Sequence, residues 1–143
     1  MPVIRYKAGY KYQLSHDYLF ELPDEFPELN YQGDFIWVSG RTVTLWKGYA
    51  SDGPSGPTID TKNFMRGAWQ HDGGYQLLRA GIYPKSLHEK LRKALDLQLY
   101  RTCLEDGMSR IRAALVYSGV RVGGKNAAEI GSEKRIYEAG SLA

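Results

Sequence analysis

Two neighbouring titratable side chains, His71 and Asp72, lie in a segment whose apolar spacing is typical of a helix. A histidine accepts a proton near neutral pH, which makes His71 a candidate general base. Adjacent side chains on a helix point about 100° apart, so the two residues need different partners. His71 requires a second carboxylate to orient it, whereas Asp72 is suited to a hard cation such as calcium.

Asp96 is the candidate second carboxylate, because it lies on the next predicted helix. Two antiparallel helices joined by a short connection bring residues 71 and 96 to comparable heights. Tyr75, one helical turn after His71, completes a candidate catalytic set of His71, Asp96 and Tyr75. The alternative is that Asp96 is a solvated residue paired with Arg92, four positions earlier.

An irregular loop precedes the helix and contains Asp52, Gly53 and Ser55 among several prolines and glycines. These residue types fix unusual backbone angles, so the loop can turn carbonyl groups towards a cation. We expect Asp52, Gly53 and Ser55 to form a binding loop. Asp52 and Asp72 are then the candidate metal ligands.

Two consecutive glycines, Gly73 and Gly74, follow the His-Asp pair. Each costs a helix interior roughly 1 kcal/mol relative to alanine. They therefore indicate that another backbone or a ligand approaches the helix closely at this point, or that the helix is locally distorted.

The composition is that of one globular domain: 143 residues, of which 43% are hydrophobic and 13% aromatic. The single cysteine, Cys103, cannot form an internal disulfide, and no Cys/His cluster has the spacing of zinc ligands. No apolar run has the length of a signal peptide or a membrane span. We expect a soluble protein of a reducing compartment, with Cys103 as a buried, inert thiol.

The charge is unevenly distributed along the chain. Residues 1–61 contain five Lys/Arg and eight Asp/Glu, whereas residues 62–143 contain fourteen and eight. The basic half can attract an anionic partner. No base-reading motif accompanies it, so a solvated surface is favoured over nucleic-acid binding.

Strand signals come first along the chain. Residues 34–39 and 42–46, separated by a Gly-Arg turn, are typical of a β-hairpin. The side chains expected to share its buried face are Phe35, Trp37, Val43 and Leu45.

Three helical patterns follow. The first ends near residues 79–81. Ser86 and Glu89 have the spacing of a capping box, which predicts that the second begins at residue 86. Ser109 is expected to cap the third, which ends near Gly123. The apolar face expected for the third helix consists of Ile111, Leu115, Val116, Val120 and Val122.

This order predicts an α+β fold, in which an N-terminal antiparallel sheet of hairpins packs on a C-terminal bundle of about three helices. Residues 1–143 then form a single domain. Its β-rich part is 1–60, its helical part with the His-Asp motif is 61–124, and its C-terminal extension is 125–143.

The motifs between residues 48 and 124 resemble those of a family of small tailed-phage and prophage proteins of unknown function. That family combines a Thr/Ser-Asp-Gly-x-Ser loop, a helical His-Asp-x-x-Tyr, an Ala-Asp-x-x-Phe-like segment and a Tyr-x-x-Val-Arg helix. This chain departs from the pattern at Gly73 and Gly74, where bulky apolar residues are usual, and at Leu99-Tyr100, where a phenylalanine is expected. Its connection between Tyr75 and Asp96 is also longer than in the pattern.

The phage resemblance implies a virion or virion-assembly role. The implied partners are other phage structural proteins or further copies of the chain. The implied location is the virion or the host cytoplasm.

The layout of the candidate site is also similar to the active site of phospholipase A2. That resemblance implies that His71 activates water and that Asp96 orients His71. It also implies that Asp72 holds calcium together with carbonyl groups of the loop from Asp52 to Ser55. The loop sequence differs from the usual calcium loop, and the disulfides of secreted members are absent.

The sequence therefore favours a virion-associated structural or assembly component, in which the His71/Asp72 cluster is a polar core network or a metal staple. The alternative is a hydrolase of a lipid or cell-envelope ester that depends on calcium or another divalent cation. An HD-type phosphohydrolase is a poorer third hypothesis, because its further metal ligands are not at supporting positions. The two main hypotheses separate on whether Asp96 comes within hydrogen-bond reach of His71 and whether the site opens to solvent.

Overall fold

The computed structural model describes residues 12–51 and 62–129. The predicted binding-loop residues Asp52, Gly53 and Ser55 lie between these two ranges, outside the described residues. Most of the C-terminal extension, residues 130–143, lies outside them as well.

An antiparallel sheet of four strands occupies the first range. The strands of the first range are β1 (Tyr12–Gln13), β2 (Tyr18–Glu21), β3 (Leu29–Gly33), β4 (Ile36–Gly40), β5 (Thr42–Leu45) and β6 (Ala50–Ser51). The order in the four-stranded sheet is β2-β5-β4-β3, and β1 pairs separately with β6.

Helices occupy the second range. They are α1 (Lys62–Arg79), α2 (His88–Glu105), α3 (Arg110–Gly123) and α4 (Lys125–Ala128). A sheet followed by three long helices is the α+β arrangement that the order of the sequence patterns predicts, so this part of the prediction is confirmed.

The inner face of the sheet carries the apolar residues that β4 and β5 contribute to the core. Val38 lies opposite Val43, and Ile36 lies opposite Leu45. All four side chains are fully buried. The predicted hairpin is therefore present, with its turn at Gly40.

The predicted buried face of this hairpin was wrong for Phe35 and Trp37, which are 50% and 41% exposed. Phe35 lies in the turn before β4 with φ 60°, so the alternation of the strand begins one residue later. Trp37 consequently lies opposite Thr44 on the outer face of the sheet, where it stacks on Trp46. A shift of one residue moves every side chain to the other face.

Helix α1 lies between the sheet and α2, and the two glycines make this possible. A Cβ at Gly73 would lie 3.1 Å from Leu45 Cδ2 on the sheet. A Cβ at Gly74 would lie 2.8 Å from Leu95 Cδ1 on α2. The helix is closely approached at both glycines, but by side chains from the two neighbouring layers and not by the backbone or ligand that the sequence predicts.

The two helix starts differ in how well the sequence predicts them. Ser109 caps α3 as predicted, because its side chain accepts a hydrogen bond from the Arg112 backbone N–H. The capping box at Ser86 was wrong: a 3₁₀ turn, Lys85–Leu87, precedes α2, and Leu87 is its N-cap without a side-chain cap. The Glu89 carboxylate binds two arginines instead.

Helix α3 packs on α2 and α4 with only part of its apolar surface. Ala113 and Val116 are buried. The prediction of one apolar core face was wrong for Ile111, Leu115 and Val122, whose side chains point to solvent.

Candidate functional site

Asp96 lies at the centre of the site and is fully buried, at 0% exposure. Its Oδ1 atom lies 2.7 Å from His71 Nε2 and accepts a hydrogen bond of 2.7 Å from the Tyr75 hydroxyl. Both donors come from α1, because residues four positions apart share one helix face. The structure thus brings together the three residues predicted as the catalytic set.

Two arginines hold the other oxygen of the same carboxylate. Arg121 of α3 donates from Nη1 to Asp96 Oδ2 at 2.8 Å. Arg92 of α2 places its Nη1 3.5 Å from Oδ2 and also donates to the Val120 carbonyl at 3.3 Å. The carboxylate therefore links all three long helices.

Glu89 closes the network at the surface. It accepts a hydrogen bond from Arg92 Nε at 2.9 Å and pairs with Arg121. Two carboxylates and two arginines thus balance their charges around a buried centre. Such balance is required, because an unpaired charge in the interior is strongly destabilising.

The pKa values of the site follow from burial and from these bonds. Burial by itself would raise the pKa of Asp96, but hydrogen bonds from His71, Tyr75 and Arg121 outweigh it and hold the pKa below its ordinary value. Burial, followed by the neighbouring Asp96 charge, raises the pKa of Tyr75 above its ordinary value. Near neutral pH, Asp96 is therefore an ionised acceptor and Tyr75 a neutral donor.

Glu89 also stays ionised over a wide range. Hydrogen bonding to Arg92 lowers its pKa to about 2, and the bond from Arg121 acts in the same direction. The outer carboxylate is accordingly charged well below neutral pH.

His71 has the geometry of an oriented base. Its Nε2 faces the ionised Asp96, so a neutral ring donates its proton there and keeps its lone pair on Nδ1. The Tyr75 ring lies beside the imidazole, with 4.2 Å between ring centroids. Nδ1 is thus the ring atom left for proton transfer.

Access to this site is narrow. His71 is only 9% exposed. A groove of about 360 Å³ lies nearby, between β2 and the helices α1 and α2, and Gln70 and Thr102 line it. Neither His71 nor Asp96 lines that groove, because Gln70 projects from a different side of α1.

The described residues do not by themselves form a cation site. Asp72 is partly exposed beside His71, but the structure brings no group of three His, Cys, Asp or Glu side chains into metal-binding proximity within residues 12–51 and 62–129. The other predicted ligand, Asp52, lies outside the described residues. Asp72 therefore supplies one candidate ligand and no more.

Arg121 and Glu89 were missed as members of the site. The available signal for Arg121 was its place between Val120 and Val122, where it is the only charged residue from Ala113 to Gly123. A charge that packing removes from water requires a partner of opposite charge. Cys103, in contrast, is buried as predicted, and burial raises the pKa of its thiol to about 11.

Comparison with protein-family models, curated proteins and solved structures yields no match to this chain. The two resemblances therefore remain predictions from motifs. None of the helices in the described ranges is long and apolar enough to cross a membrane.

Proposed function

We propose that the protein is a hydrolase of a lipid or cell-envelope ester in which His71 is the general base. One observation carries this proposal: Asp96 Oδ1 lies 2.7 Å from His71 Nε2 while accepting the Tyr75 hydroxyl. A base with one ring nitrogen held by a buried carboxylate is pre-oriented for proton transfer from the other.

In the proposed reaction, His71 Nδ1 takes a proton from water as the water oxygen bonds to the ester carbonyl carbon. The ionised Asp96 stabilises the imidazolium that forms. The bond to the leaving oxygen then breaks, and the leaving alkoxide takes the proton from His71. Water is consumed, one carboxylic acid and one alcohol are released, and the base is regenerated.

The arginines support this chemistry indirectly. Arg121 and the hydrogen bonds of His71 and Tyr75 keep Asp96 ionised in a fully buried position. A protonated Asp96 would stabilise an imidazolium less, so ionisation of this residue is part of the mechanism. Arg121 is a positioning residue in this scheme, because it acts through Asp96.

The experiment is hydrolysis by the purified chain of a water-soluble p-nitrophenyl ester and of phosphatidylglycerol vesicles, each with calcium or with EDTA. Release of nitrophenol or fatty acid above the buffer rate supports the proposal. A response to calcium that Asp72→Asn removes, and that Asp24→Asn at an exposed loop position retains, assigns a cation to Asp72. If the folded protein releases nothing from either substrate under both conditions, the proposal fails.

A virion-associated structural or assembly component is the second candidate. Its support is the network itself: Asp96 is surrounded by donors and two ion-paired arginines, as a polar clamp between three helices requires. The phage resemblance of the motifs points the same way. This candidate predicts discrete oligomers in light scattering and no hydrolysis of either substrate.

A further inference from the structure

The outer face of α3 carries three exposed aliphatic side chains. Val122, Ile111 and Leu115 are 86%, 77% and 68% exposed, more than the other exposed large hydrophobics of the described residues. We infer that this face docks on an anionic lipid bilayer.

The three side chains lie on one side of the helix. Ile111, Leu115 and Val122, together with the small Ser118, are separated by four, three and four residues, which places them along a single stripe. The exposed residues beside the stripe, Ala114 and Gly119, are small and uncharged. A continuous uncharged helix face towards solvent marks an interaction surface, whereas single exposed apolar residues do not.

The distribution of charge along the chain favours an anionic partner for this face. Residues 62–129 contain twelve Lys/Arg and six Asp/Glu, whereas residues 12–51 contain two and six. Within α3 there are three arginines and no acidic residue. The apolar stripe thus belongs to the cationic end of a molecule whose sheet is acidic.

Two cations near the ends of the stripe are accessible. Arg110 and Lys125 are both exposed. Arg121, in contrast, is already paired with Asp96 and Glu89. Basic side chains next to an aliphatic face are the combination that binds anionic headgroups while the aliphatic groups enter the acyl boundary.

A second copy of the chain fits this surface less well. Two α3 faces in contact would bring arginines of like charge together, with no acidic residue on either helix to compensate. A bilayer supplies the negative charge and needs no matching shape. Docking on it does not require His71 to be catalytic, so binding and hydrolysis are tested separately.

The test is co-sedimentation of the full chain with vesicles of phosphatidylcholine alone and of phosphatidylcholine with phosphatidylglycerol. We expect binding to the anionic vesicles, weakened at least tenfold by high salt. Leu115→Gln and Val122→Gln should each weaken vesicle binding about as much as high salt does. A helix accommodates glutamine, but its polar side chain does not enter the apolar acyl region. Leu19→Gln is the matched control, because Leu19 is 58% exposed on the acidic sheet.

Three results would overturn the inference. The first is that the wild-type chain stays in solution with both kinds of vesicle. The second is that Leu115→Gln binds as the wild type does. The third is a dimer in light scattering that Leu115→Gln dissociates without any vesicle binding, which would make this face a self-interface.

Discussion

Arg121 of α3 donates a 2.8 Å hydrogen bond to Oδ2 of Asp96, the same carboxylate whose Oδ1 faces His71. The group that orients the proposed base therefore also fastens the third helix. Asp96 thus stabilises the fold and, in the proposed reaction, orients the base, and substitutions around it separate these two contributions.

Removal of Arg121 should loosen α3. Arg121→Ala leaves Asp96 short of a charged donor, and we expect a loss of about 2 kcal/mol in the free energy of unfolding. Arg110→Ala on the same helix is the control, because Arg110 is exposed and forms no ion pair with another described residue. Its effect should stay within about 0.5 kcal/mol in urea denaturation. Equal losses of stability for the two substitutions would show that the ion pair between Arg121 and Asp96 does not stabilise the fold.

Two buried tyrosines should respond differently to loss of the hydroxyl. Tyr75 donates to Asp96, so Tyr75→Phe should cost about 1 kcal/mol. The Tyr83 hydroxyl is buried and finds no hydrogen-bond partner among the described residues, so Tyr83→Phe should be neutral or stabilising. Thermal unfolding of both variants checks this contrast. A Tyr75→Phe variant as stable as the wild type would show that the Tyr75 bond contributes little.

The glycine at the contact between α1 and α2 should not tolerate a methyl group. A Cβ at Gly74 would overlap the Leu95 side chain, so Gly74→Ala should destabilise by about 1–3 kcal/mol through overpacking. Gly119 on α3 has open space around it, and Gly119→Ala should stabilise by about 0.5–1 kcal/mol. Urea midpoints measure both changes, and the same sign for both would refute this packing.

Acid should destabilise the fold by protonating the carboxylates of the Asp96 network. The pKa of Glu89 is lowered to about 2 from an ordinary 4.5, and that of Asp96 is lowered as well. A lowered folded-state pKa adds stability above the unfolded-state value, and that stability is lost as the pH falls through the folded-state value. The urea midpoint should therefore fall between about pH 4.5 and 2.

Glu89→Gln should flatten this acid dependence, because it removes one of the titrating groups. Glu25→Gln is the control, since Glu25 is an exposed loop residue. A pH dependence that Glu89→Gln leaves unchanged would show that its bonds to Arg92 and Arg121 contribute nothing to stability.

The meeting of His71 and Asp96 was predictable from helix spacing. A short connection between two antiparallel helices fixes which residues lie at the same level along the helix axes. Tyr75 lies four residues after His71 and therefore on the same helix face. Arg121 was not predictable in the same way, because a long side chain from a third helix reaches the site only through tertiary packing.

The errors in the fold have local causes. Phe35 adopts φ 60° in a turn, and this one residue displaced the predicted alternation of β4. In α3, apolar residues cover more than one side of the helix, so periodicity identified a helix but not which side faces the core. Val116 turned out to be buried, and Leu115 next to it is exposed.

The most direct test of His71 as the general base compares the rates of ester hydrolysis by His71→Gln and His16→Gln. Circular dichroism verifies that both variants are folded. His16 is exposed, and among the described residues its ring hydrogen-bonds to the neighbouring Ser15 and is not part of the Asp96 network. We expect a fall of about 10²–10⁴ in kcat for His71→Gln, the contribution typical of a general base, and an unchanged rate for His16→Gln. A folded His71→Gln variant that hydrolyses the ester at the wild-type rate would contradict the role of His71 as the general base.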